Sequence, residues 1–315
     1  MEKSFFCFMY SVSQNRGASL QLSYLLFVIL KQFDYLCRHK MKINELLIQY
    51  NTISLAEMKN IRLMNRTDTK FVTSKTKLLE LLALAREQYF VQEIDGLRIA
   101  EYYTVYFDTP RYDMFRVHHC GHTNRQKLRI RSYVDSKLSF LEVKTKNNHS
   151  RTKKKRMPMS GFDPDNPRYD VCFDGQDEGM AEYTPFLQEH LFYDAASLTE
   201  CIENRFRRIT LVNKGKTERL TIDMDVRFHN LVTDKVVMLD NVVIIELKRD
   251  RLLTSPILPL LRQLRIKRSG FSKYCIGTVF TNADIPQNRF KMRMRKIASI
   301  QQGLSATDNS GTDTY

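Results

Sequence analysis

Basic and apolar residues alternate along the segment from Lys127 to Lys146, whose sequence is KLRIRSYVDSKLSFLEVKTK. At a period of two, lysine and arginine share one face with a single glutamate, while leucine, isoleucine and valine share the other. A short polar turn at Asp135–Lys137 interrupts the pattern. The segment is therefore predicted to form a two-stranded antiparallel hairpin with one apolar face and one cationic face.

The same alternation of cations, again with sparse carboxylates, recurs in three other stretches of strand-like sequence. A charged strand face usually contacts solvent. Recurrence in register from strand to strand favours a different interpretation, in which the strands close into a barrel and the cations line its interior. Such an interior suits a polyanion together with a divalent metal ion.

The remaining elements are predicted from capping residues and periodicity. Residues 42–60 are predicted to form two consecutive helices, the second with a capping box between Ser54 and Glu57. Ser74 is predicted to cap a helix over Lys75–Glu87. Further strands are predicted at Asn65–Val72, Ile99–Thr109, Arg205–Val212, Arg219–Arg227, Val242–Arg249 and Phe271–Phe280, the last of which closes the sheet.

Short helices are predicted at Arg111–His119 and Leu258–Ile266. The run RTKKKR at Arg151–Arg156 is predicted to be a solvated basic loop, with a guide for an anionic chain at the mouth of the cavity as the alternative interpretation. Helices are thus interspersed among mostly antiparallel strands. This order indicates an α+β fold built on an antiparallel β-barrel with flanking helices.

The chain is predicted to contain one folded domain over residues 41–296. Residues 1–40 are interpreted as an N-terminal extension outside that domain, and translation from Met41 is an alternative explanation for them. The Ser/Gly/Thr-rich segment 297–315 is predicted to be a disordered tail.

The chain of 315 residues carries a formal net charge of +15, with an isoelectric point near 9.5. This excess of cations predicts an anionic partner: nucleic acid, a phospholipid surface or polyphosphate. Nucleic acid is disfavoured because the sequence has no basic helix, zinc-finger spacing or RNP-like aromatic motif. Six scattered cysteines without a CxxC pair indicate free thiols, and no apolar run is long enough to span a bilayer. We therefore predict a cytoplasmic protein.

The barrel interpretation brings together the inward positions of the strands. The cations are Lys70, Arg129, Arg131, Lys144, Arg208, Arg219, Lys248 and Lys273, and the carboxylates are Glu142, Asp223 and Glu246. Converging cations repel one another unless a polyanion and counter-charges fill the space between them. A triphosphate or a longer phosphate chain fits, because arginine binds phosphate bidentately and lysine acts as a point charge. Glu246 is interpreted as a ligand of Mg²⁺ or Mn²⁺, whereas Glu142 either binds metal or pairs with a neighbouring cation.

Other catalytic patterns do not occur in the sequence, which has no Walker A loop, GxGxxG or HExxH. Asp108 is interpreted as a cap of the turn before Pro110, and His118–His119 as the end of a short helix, in preference to catalytic roles. The candidate chemistry therefore rests on the cations and the two glutamates.

Seven short motifs occur in an order that is similar to that of a known family. They are RTDTKFV at 66–72, YFDT at 106–109, NRQKLRIRSY at 124–133, FLEVKTK at 140–146, RLTID at 219–223, IELK at 245–248 and FSKYCIG at 271–277. From about Asn65 to Thr278 the chain resembles the VTC domain, the polyphosphate polymerase module of the vacuolar transporter chaperone family, in its stand-alone bacterial form. That domain belongs to the triphosphate tunnel metalloenzyme superfamily, so the resemblance implies an antiparallel β-barrel tunnel lined with basic residues.

The resemblance also implies a role for each matched residue. It implies catalytic cations at Arg129, Arg131, Lys144, Arg219 and Lys248, further phosphate-binding residues at Lys70, Arg208 and Lys273, and a ligand of Mn²⁺ or Mg²⁺ at Glu246. Glu142 stays a second candidate metal ligand from the strand pattern. Arg205 and Arg207 compete with Arg208 for its position in the same strand. The chain departs from the family pattern in two places. Gly270 replaces a cation expected before the FSK motif, and RTDTK stands where related CYTH hydrolases have ExExK, which favours the polymerase branch.

The function that the resemblance implies is ATP-dependent polyphosphate polymerase activity. Its implied partners are ATP and inorganic polyphosphate, with a membrane protein as a candidate partner for moving the product. Two alternatives stay open: a hydrolase of triphosphate or nucleoside triphosphates with the same fold, and a non-catalytic protein that binds polyphosphate or another polyanion.

Overall fold

The computed structural model of the chain describes residues 42–59, 66–148, 152–168, 173, 181–250 and 253–303. The N-terminal extension predicted over residues 1–40 lies outside the described residues, as does the segment 304–315 of the predicted tail. The chain divides into two compact units, Met1–Gln49 and Tyr50–Tyr315. The described part of the first unit includes helix α1 at residues 42–48, and the second unit contains the sheet.

Eleven strands form one sheet within the described residues. The strands are β1 (Thr52–Ser54), β2 (Arg66–Ser74), β3 (Tyr89–Glu93), β4 (Ala100–Asp108), β5 (Arg125–Tyr133), β6 (Leu138–Lys146), β7 (Thr152–Met159), β8 (Thr199–Asn213), β9 (Glu218–Asn230), β10 (Val236–Leu239) and β11 (Val242–Asp250). Along the main path their order is β2, β11, β9, β8, β4, β5, β6, β7, and each neighbouring pair is antiparallel. β10 and β3 pair antiparallel with β9 and β8, whereas β1 pairs with β3 in parallel. The predicted α+β class with a largely antiparallel sheet is confirmed.

Helices flank the sheet. They are α2 (Leu55–Lys59), α3 (Lys75–Ala85), α4 (Asp113–His119), α5 (Thr184–His190), α6 (Ile257–Gln263), α7 (Lys273–Thr281) and α8 (Lys291–Gln301), with 3₁₀ turns at Arg86–Gln88, Ala195–Ser197 and Asn288–Phe290. The predicted caps are confirmed: Ser74 Oγ accepts from a first-turn N–H of α3, and Ser54 and Glu57 bond reciprocally. α8 continues past residue 296, where the tail was predicted to begin. No described helix combines the length and the hydrophobicity that crossing a membrane requires.

The sheet curls without closing through backbone pairing. Among the described strands no ladder joins β7 to β2, so the closed barrel expected from the pattern is an open, curled sheet. The chain between α6 and α7 lies along the free edge of β2, where Ser269 N donates to Lys70 O at 2.8 Å. Lys127 Nζ of β5 donates to Ser272 Oγ at 2.6 Å. This connecting segment therefore contacts both β2 and β5.

The hairpin predicted over Lys127–Lys146 is confirmed as β5 and β6, with Arg129 opposite Glu142. Burial alternates strictly along β5, where odd-numbered residues are half-buried and even-numbered residues are buried. The even-numbered, apolar face packs outside the curl against residues such as Phe173 and Leu187. The face that carries Arg129 is therefore the inner face of the curled sheet.

The run RTKKKR, predicted as a solvated loop, lies mostly in strand β7, which pairs with β6 along its whole length. Lys154 and Arg156 lie on the inner face, opposite Lys144 and Glu142 of β6, whereas Lys155 is on the outer face. Consecutive lysines conceal the period of two because both faces are charged. The free edge of β6 supplies the backbone hydrogen bonds that make this run a strand.

The segment Phe271–Phe280, predicted as a strand closing the sheet, is mostly helix α7. Ser272 caps this helix by accepting from a first-turn N–H at 3.3 Å. The helix packs closely on the apolar part of the inner face, since a Cβ added at Gly277 would lie 2.6 Å from side-chain carbons of Ile202 and Phe228. α7 therefore fills one end of the curl. The strand prediction was wrong because a short apolar run fits a buried helix as well as a buried strand.

A bulge in β9 divides the inner face into a charged part and an apolar part. Opposite Phe206 of β8, strand β9 has two residues, Asp225 and Val226, and Asp225 has a positive φ of 54°. The extra residue moves the inward positions of β9 from odd numbers such as Asp223 to even numbers such as Phe228. The apolar part packs on α7, and the charged part forms the candidate site.

Candidate active site

One side of the site is a rung of side chains across β4, β5 and β6, formed by Tyr106, Arg129 and Glu142. Arg129 donates from Nε and Nη2 to one oxygen of Glu142 at 2.8 and 2.5 Å, and Lys154 Nζ donates to the other at 2.8 Å. Burial alone would raise the pKa of Glu142, but the charges of Arg129 and Arg131 outweigh burial and lower the pKa to about 2. Both carboxylate oxygens are thus occupied by cations, which favours the predicted ion pair over a metal contact.

Aromatic rings support the cations next to this rung. The guanidinium carbons of Arg131 and Arg208 lie 5.8 and 4.8 Å from the ring centroid of Tyr102. Lys273 Nζ lies 4.0 Å from the ring centroid of Phe206. Such contacts attract a cation to a ring face without neutralising its charge. The rings therefore hold these cations in place without adding a counter-charge.

The opposite side of the site contains Asp223 between two cations. Arg208 donates from Nε and Nη2 to the two oxygens of Asp223 at 2.6 and 2.9 Å, and Lys273 Nζ donates to the same carboxylate. Burial would raise the pKa of Asp223, but Arg208 and Lys273 hold it below its usual range. Of the three competing arginines of β8, Arg208 is the one on the inner face, because Arg205 and Arg207 pair with carboxylates elsewhere.

Glu246 of β11, unlike Glu142 and Asp223, accepts no hydrogen bond from a neighbouring cation in the part of the chain that the structure describes. Its oxygens lie 3.9 Å from Lys70 Nζ and 3.6 Å from Lys248 Nζ, which exceeds ordinary hydrogen-bond distance. Among the described residues no donor lies within hydrogen-bond distance of this carboxylate. Burial would raise the pKa of Glu246, but Lys70 and Lys248 lower it. Glu246 is therefore ionised, with its lone pairs available to a ligand.

Two lysines near Glu246 have lowered pKa values. Desolvation by the surrounding chain and the charge of Lys70 lower the pKa of Lys144 to about 7, although its side chain is exposed to solvent. Desolvation lowers the pKa of Lys248 to about 8, partly opposed by Glu246. An anion bound beside these amines would favour their protonated forms.

The inner face holds the eight cations that the sequence predicted together. They come from β2 (Lys70), β5 (Arg129 and Arg131), β6 (Lys144), β8 (Arg208), β9 (Arg219), β11 (Lys248) and the first turn of α7 (Lys273). Arg219 lies opposite Lys248 in the ladder between β9 and β11. Cations from seven elements thus surround a space that suits a chain of phosphates.

Lys127 and Lys154 also lie on the inner face and were missing from the predicted site. Lys127 shares the odd-numbered face of β5 with Arg129, so the period of two was sufficient to find it. Lys154 bonds Glu142 from β7. Its run was interpreted as a loop, and no local signal in the sequence separates its inward lysine from its outward neighbours.

Asp108 and His118 do not belong to the charged residues of the inner face. Asp108 accepts from the backbone N–H groups of Met114 and Phe115 at 2.9 Å each and from the hydroxyl of Tyr274. It therefore links the start of α4 to α7. Burial lowers the pKa of His118 to about 2, which leaves its imidazole neutral.

A divalent metal ion fits the site through Glu246. Within the described residues no group of three or more His, Cys, Asp or Glu side chains is placed to hold a metal. Mg²⁺ and related ions that act on phosphates need only one or two carboxylates, because phosphate oxygens and water complete the coordination. Glu246 meets this requirement, whereas both oxygens of Glu142 are bonded to cations.

Comparison with known families agrees with this geometry. The sequence profile of the VTC domain matches residues 65–282, a range that includes all the residues of the site. The chain belongs to the VTC domain family. No curated protein matches this VTC domain protein.

Several solved structures are similar to the VTC domain protein at low sequence identity. A Hippeastrum protein provisionally named an adenylyl cyclase, with a dominant triphosphatase activity, is 16% identical over 69% of this chain and 97% of its own, with a TM-score of 0.44. A Bacillus halodurans protein provisionally named an adenylate cyclase is 13% identical over 66% and 96%, with a TM-score of 0.41. A Pyrococcus horikoshii protein is 14% identical over 67% and 97%, with a TM-score of 0.37.

Proposed function

We propose that this VTC domain protein is a polyphosphate polymerase that transfers the γ-phosphoryl group of ATP to a growing inorganic polyphosphate chain. The observation that carries the proposal is the ionised, open carboxylate of Glu246, which lies near Lys70 and Lys248 on the inner face that also holds the other cations of the site. Phosphoryl transfer needs positioning and charge stabilisation more than covalent chemistry, and this site supplies both.

In the proposed reaction a terminal phosphate oxygen of the polyphosphate chain attacks the γ-phosphorus of ATP. A new P–O bond forms, the bond from the γ-phosphorus to the β,γ-bridging oxygen breaks, and ADP leaves with that oxygen. The chain is longer by one phosphate. Because the nucleophile belongs to the substrate, the reaction requires no serine, cysteine or histidine nucleophile from the protein.

The side chains of the inner face have different proposed roles: the arginines and Lys144 bind phosphate oxygens, and Glu246 binds the metal ion. Arg129, oriented by Glu142, and Arg131, supported by Tyr102, place planar guanidinium groups where phosphate oxygens accept pairs of hydrogen bonds. Lys144 acts as a point charge beside them. Glu246 would hold a divalent ion, Mg²⁺ or Mn²⁺, which when bound supplies charge neutralisation at the phosphate oxygens.

The proposal also includes the ligands, the cellular location and the partner of the protein. Inorganic polyphosphate and ATP are its expected ligands in preference to nucleic acid, because the cations lie on the inner face of a curled sheet and the sequence has no nucleic-acid-binding motif. A cytoplasmic location and a membrane protein that moves the product stay predictions from the sequence.

The test is incubation of the purified protein with ATP and Mn²⁺, with products resolved on a gel stained for polyphosphate. We expect a ladder of long chains that is lost in Glu246→Ala and retained in Glu101→Ala, which removes a carboxylate outside the inner face. Free phosphate without chains would replace the proposal with a hydrolase. Tight binding of triphosphate without any turnover would replace it with a polyanion-binding protein.

A further inference from the structure

Three aromatic rings lie together where the inner face reaches the turn between β5 and β6. Tyr133 is tilted against Tyr102 with ring centroids 5.0 Å apart, and it meets Phe140 edge to face at 5.9 Å. All three side chains are partly exposed, and Leu138 beside them is 54% exposed. The opposite end of the inner face is filled by α7, so these rings mark its open end.

The rings continue directly from the arginines of the site. Tyr133 follows Arg131 by two residues on the same face of β5, so the rise of a strand places it about 7 Å farther toward the open end. The guanidinium of Arg156 lies 4.5 Å from the ring centroid of Phe140. An aromatic surface, with Arg156 over Phe140, therefore follows the arginines of the site toward the open end.

The ring of Tyr133 differs from the stacked rings of Tyr102 and Phe206 beside it. Tyr102 is stacked on Phe206, and both rings lie beneath Arg131 and Arg208. Tyr133 makes only tilted and edge-on ring contacts, which cover less of a ring face than stacking does. Among the described residues no cation lies over it. Tyr133 thus presents a face that can stack on a planar group.

We propose that Tyr133, with Phe140 beside it, binds the base of the nucleoside triphosphate whose phosphates enter between the arginines. This inference rests on the proposed function and names the part of the substrate that the cations do not recognise. The order of groups in a nucleotide, phosphates then sugar then base, matches the order of Arg129, Arg131 and Tyr133 along β5. Stacking accepts any flat base, so ATP and GTP are expected to bind with similar affinity.

The experiment compares binding of ATP and of inorganic triphosphate by calorimetry in EDTA, so that metal-dependent turnover does not interfere. Tyr133→Ala is expected to weaken ATP binding about tenfold and to leave inorganic triphosphate within twofold of the unaltered protein. Tyr133→Phe keeps the ring and is expected to retain ATP affinity. The control is Phe192→Ala, which removes a 64% exposed aromatic ring outside the inner face.

A spectroscopic measurement checks stacking directly. The chain contains no tryptophan, so the fluorescence of 2-aminopurine riboside triphosphate can be followed without interference from that residue. Quenching on binding to the unaltered protein, lost in Tyr133→Ala, is the expected result.

Three outcomes would overturn the inference. Equal weakening of ATP and of inorganic triphosphate in Tyr133→Ala would mean that the ring only positions Arg131. Unchanged ATP binding in that variant would mean that the base is held elsewhere. Failure of the unaltered protein to bind inorganic triphosphate would refute the proposed function first, and the base site together with it.

Discussion

Arg129 shows how a single side chain is prepared for an anionic ligand. Two of its nitrogens bond Glu142, and Nη1 lies 3.5 Å from the hydroxyl of Tyr106. These contacts fix the plane of the guanidinium before a ligand arrives, so less conformational entropy is lost when it binds. A lysine at this position would carry the same charge without the planar fork.

Arg129→Lys is expected to lower turnover in the proposed polymerase reaction by about tenfold to a hundredfold, because charge-assisted, bidentate contacts to phosphate are lost. The measurement is the rate of chain synthesis at saturating ATP. Arg205→Lys changes an arginine outside the inner face and is the matched control. Equal turnover in the two variants would contradict the role assigned to Arg129.

The pKa of Lys144, lowered to about 7, predicts proton uptake on binding. Below pH 7 the amine is already protonated in the free protein. Above pH 7 it is neutral, and a bound anion raises its pKa, so binding takes up a proton. Affinity for inorganic triphosphate is therefore expected to decrease as pH rises from 7 to 9.

Calorimetry in buffers of different ionisation enthalpy measures this uptake. Arginine stays protonated throughout the range, so Lys144→Arg is expected to take up fewer protons than the unaltered protein at pH 8 and an equal number at pH 6. The same proton uptake in both proteins at pH 8 would exclude Lys144 as the titrating group.

At the scale of elements, strand β7 places adjacent lysines in different environments. Lys154 bonds Glu142 on the inner face, and Lys155 is exposed on the outer face. The two residues have the same charge and are neighbours in the chain. Their difference arises from the pleat of the strand alone.

Lys154→Ala is expected to weaken binding of inorganic triphosphate about threefold to fivefold, a modest effect because the amine is partly exposed. Lys155→Ala removes the same charge from the outer face and is expected to change affinity less than twofold. Calorimetric titration at one salt concentration compares them. If both variants lost affinity equally, net charge and not strand geometry would explain the binding.

Helix α7 depends on a close approach to the sheet at Gly277. A methyl group there would lie 2.6 Å from side-chain carbons of Ile202 and Phe228. Alanine favours helix by about 1 kcal/mol, whereas overpacking costs about 1–3 kcal/mol, so Gly277→Ala is expected to lower the free energy of unfolding by up to about 2 kcal/mol. Urea unfolding measures it. The control is Gly215→Ala, where the nearest atom lies at 3.5 Å and the free energy of unfolding should be unchanged. An unchanged free energy of unfolding in Gly277→Ala would instead show that α7 can shift outwards.

At the scale of the whole molecule, cations gathered on one face repel one another when no ligand is bound. A polyanion that binds only the folded state adds stability, by about 2.7 kcal/mol at a concentration one hundred times its dissociation constant. Inorganic triphosphate is therefore expected to raise the unfolding temperature by about 5 °C or more. Monophosphate at equal ionic strength is the control in a thermal scan. An equal shift with both anions would indicate unspecific screening of charge.

Much of the fold follows from local sequence. Strict alternation in β5 and β6 placed Arg129, Arg131 and Lys144 correctly on one face, because a strand directs successive side chains to opposite sides whatever its neighbours are. The caps at Ser54 and Ser74 were likewise predictable, since each involves residues within one turn.

The sequence by itself therefore determined the family, the strand periodicity and the charges that converge. Three features required the tertiary structure. The basic run became strand β7 because β6 offers a free edge, and the FSK segment became helix α7 because the inner face provides an apolar surface for it. The bulge at Asp225 reverses the inward parity of β9 and separates the charged site from that surface. Each depends on partners distant in the chain, whereas the period of two is a property of the strand alone.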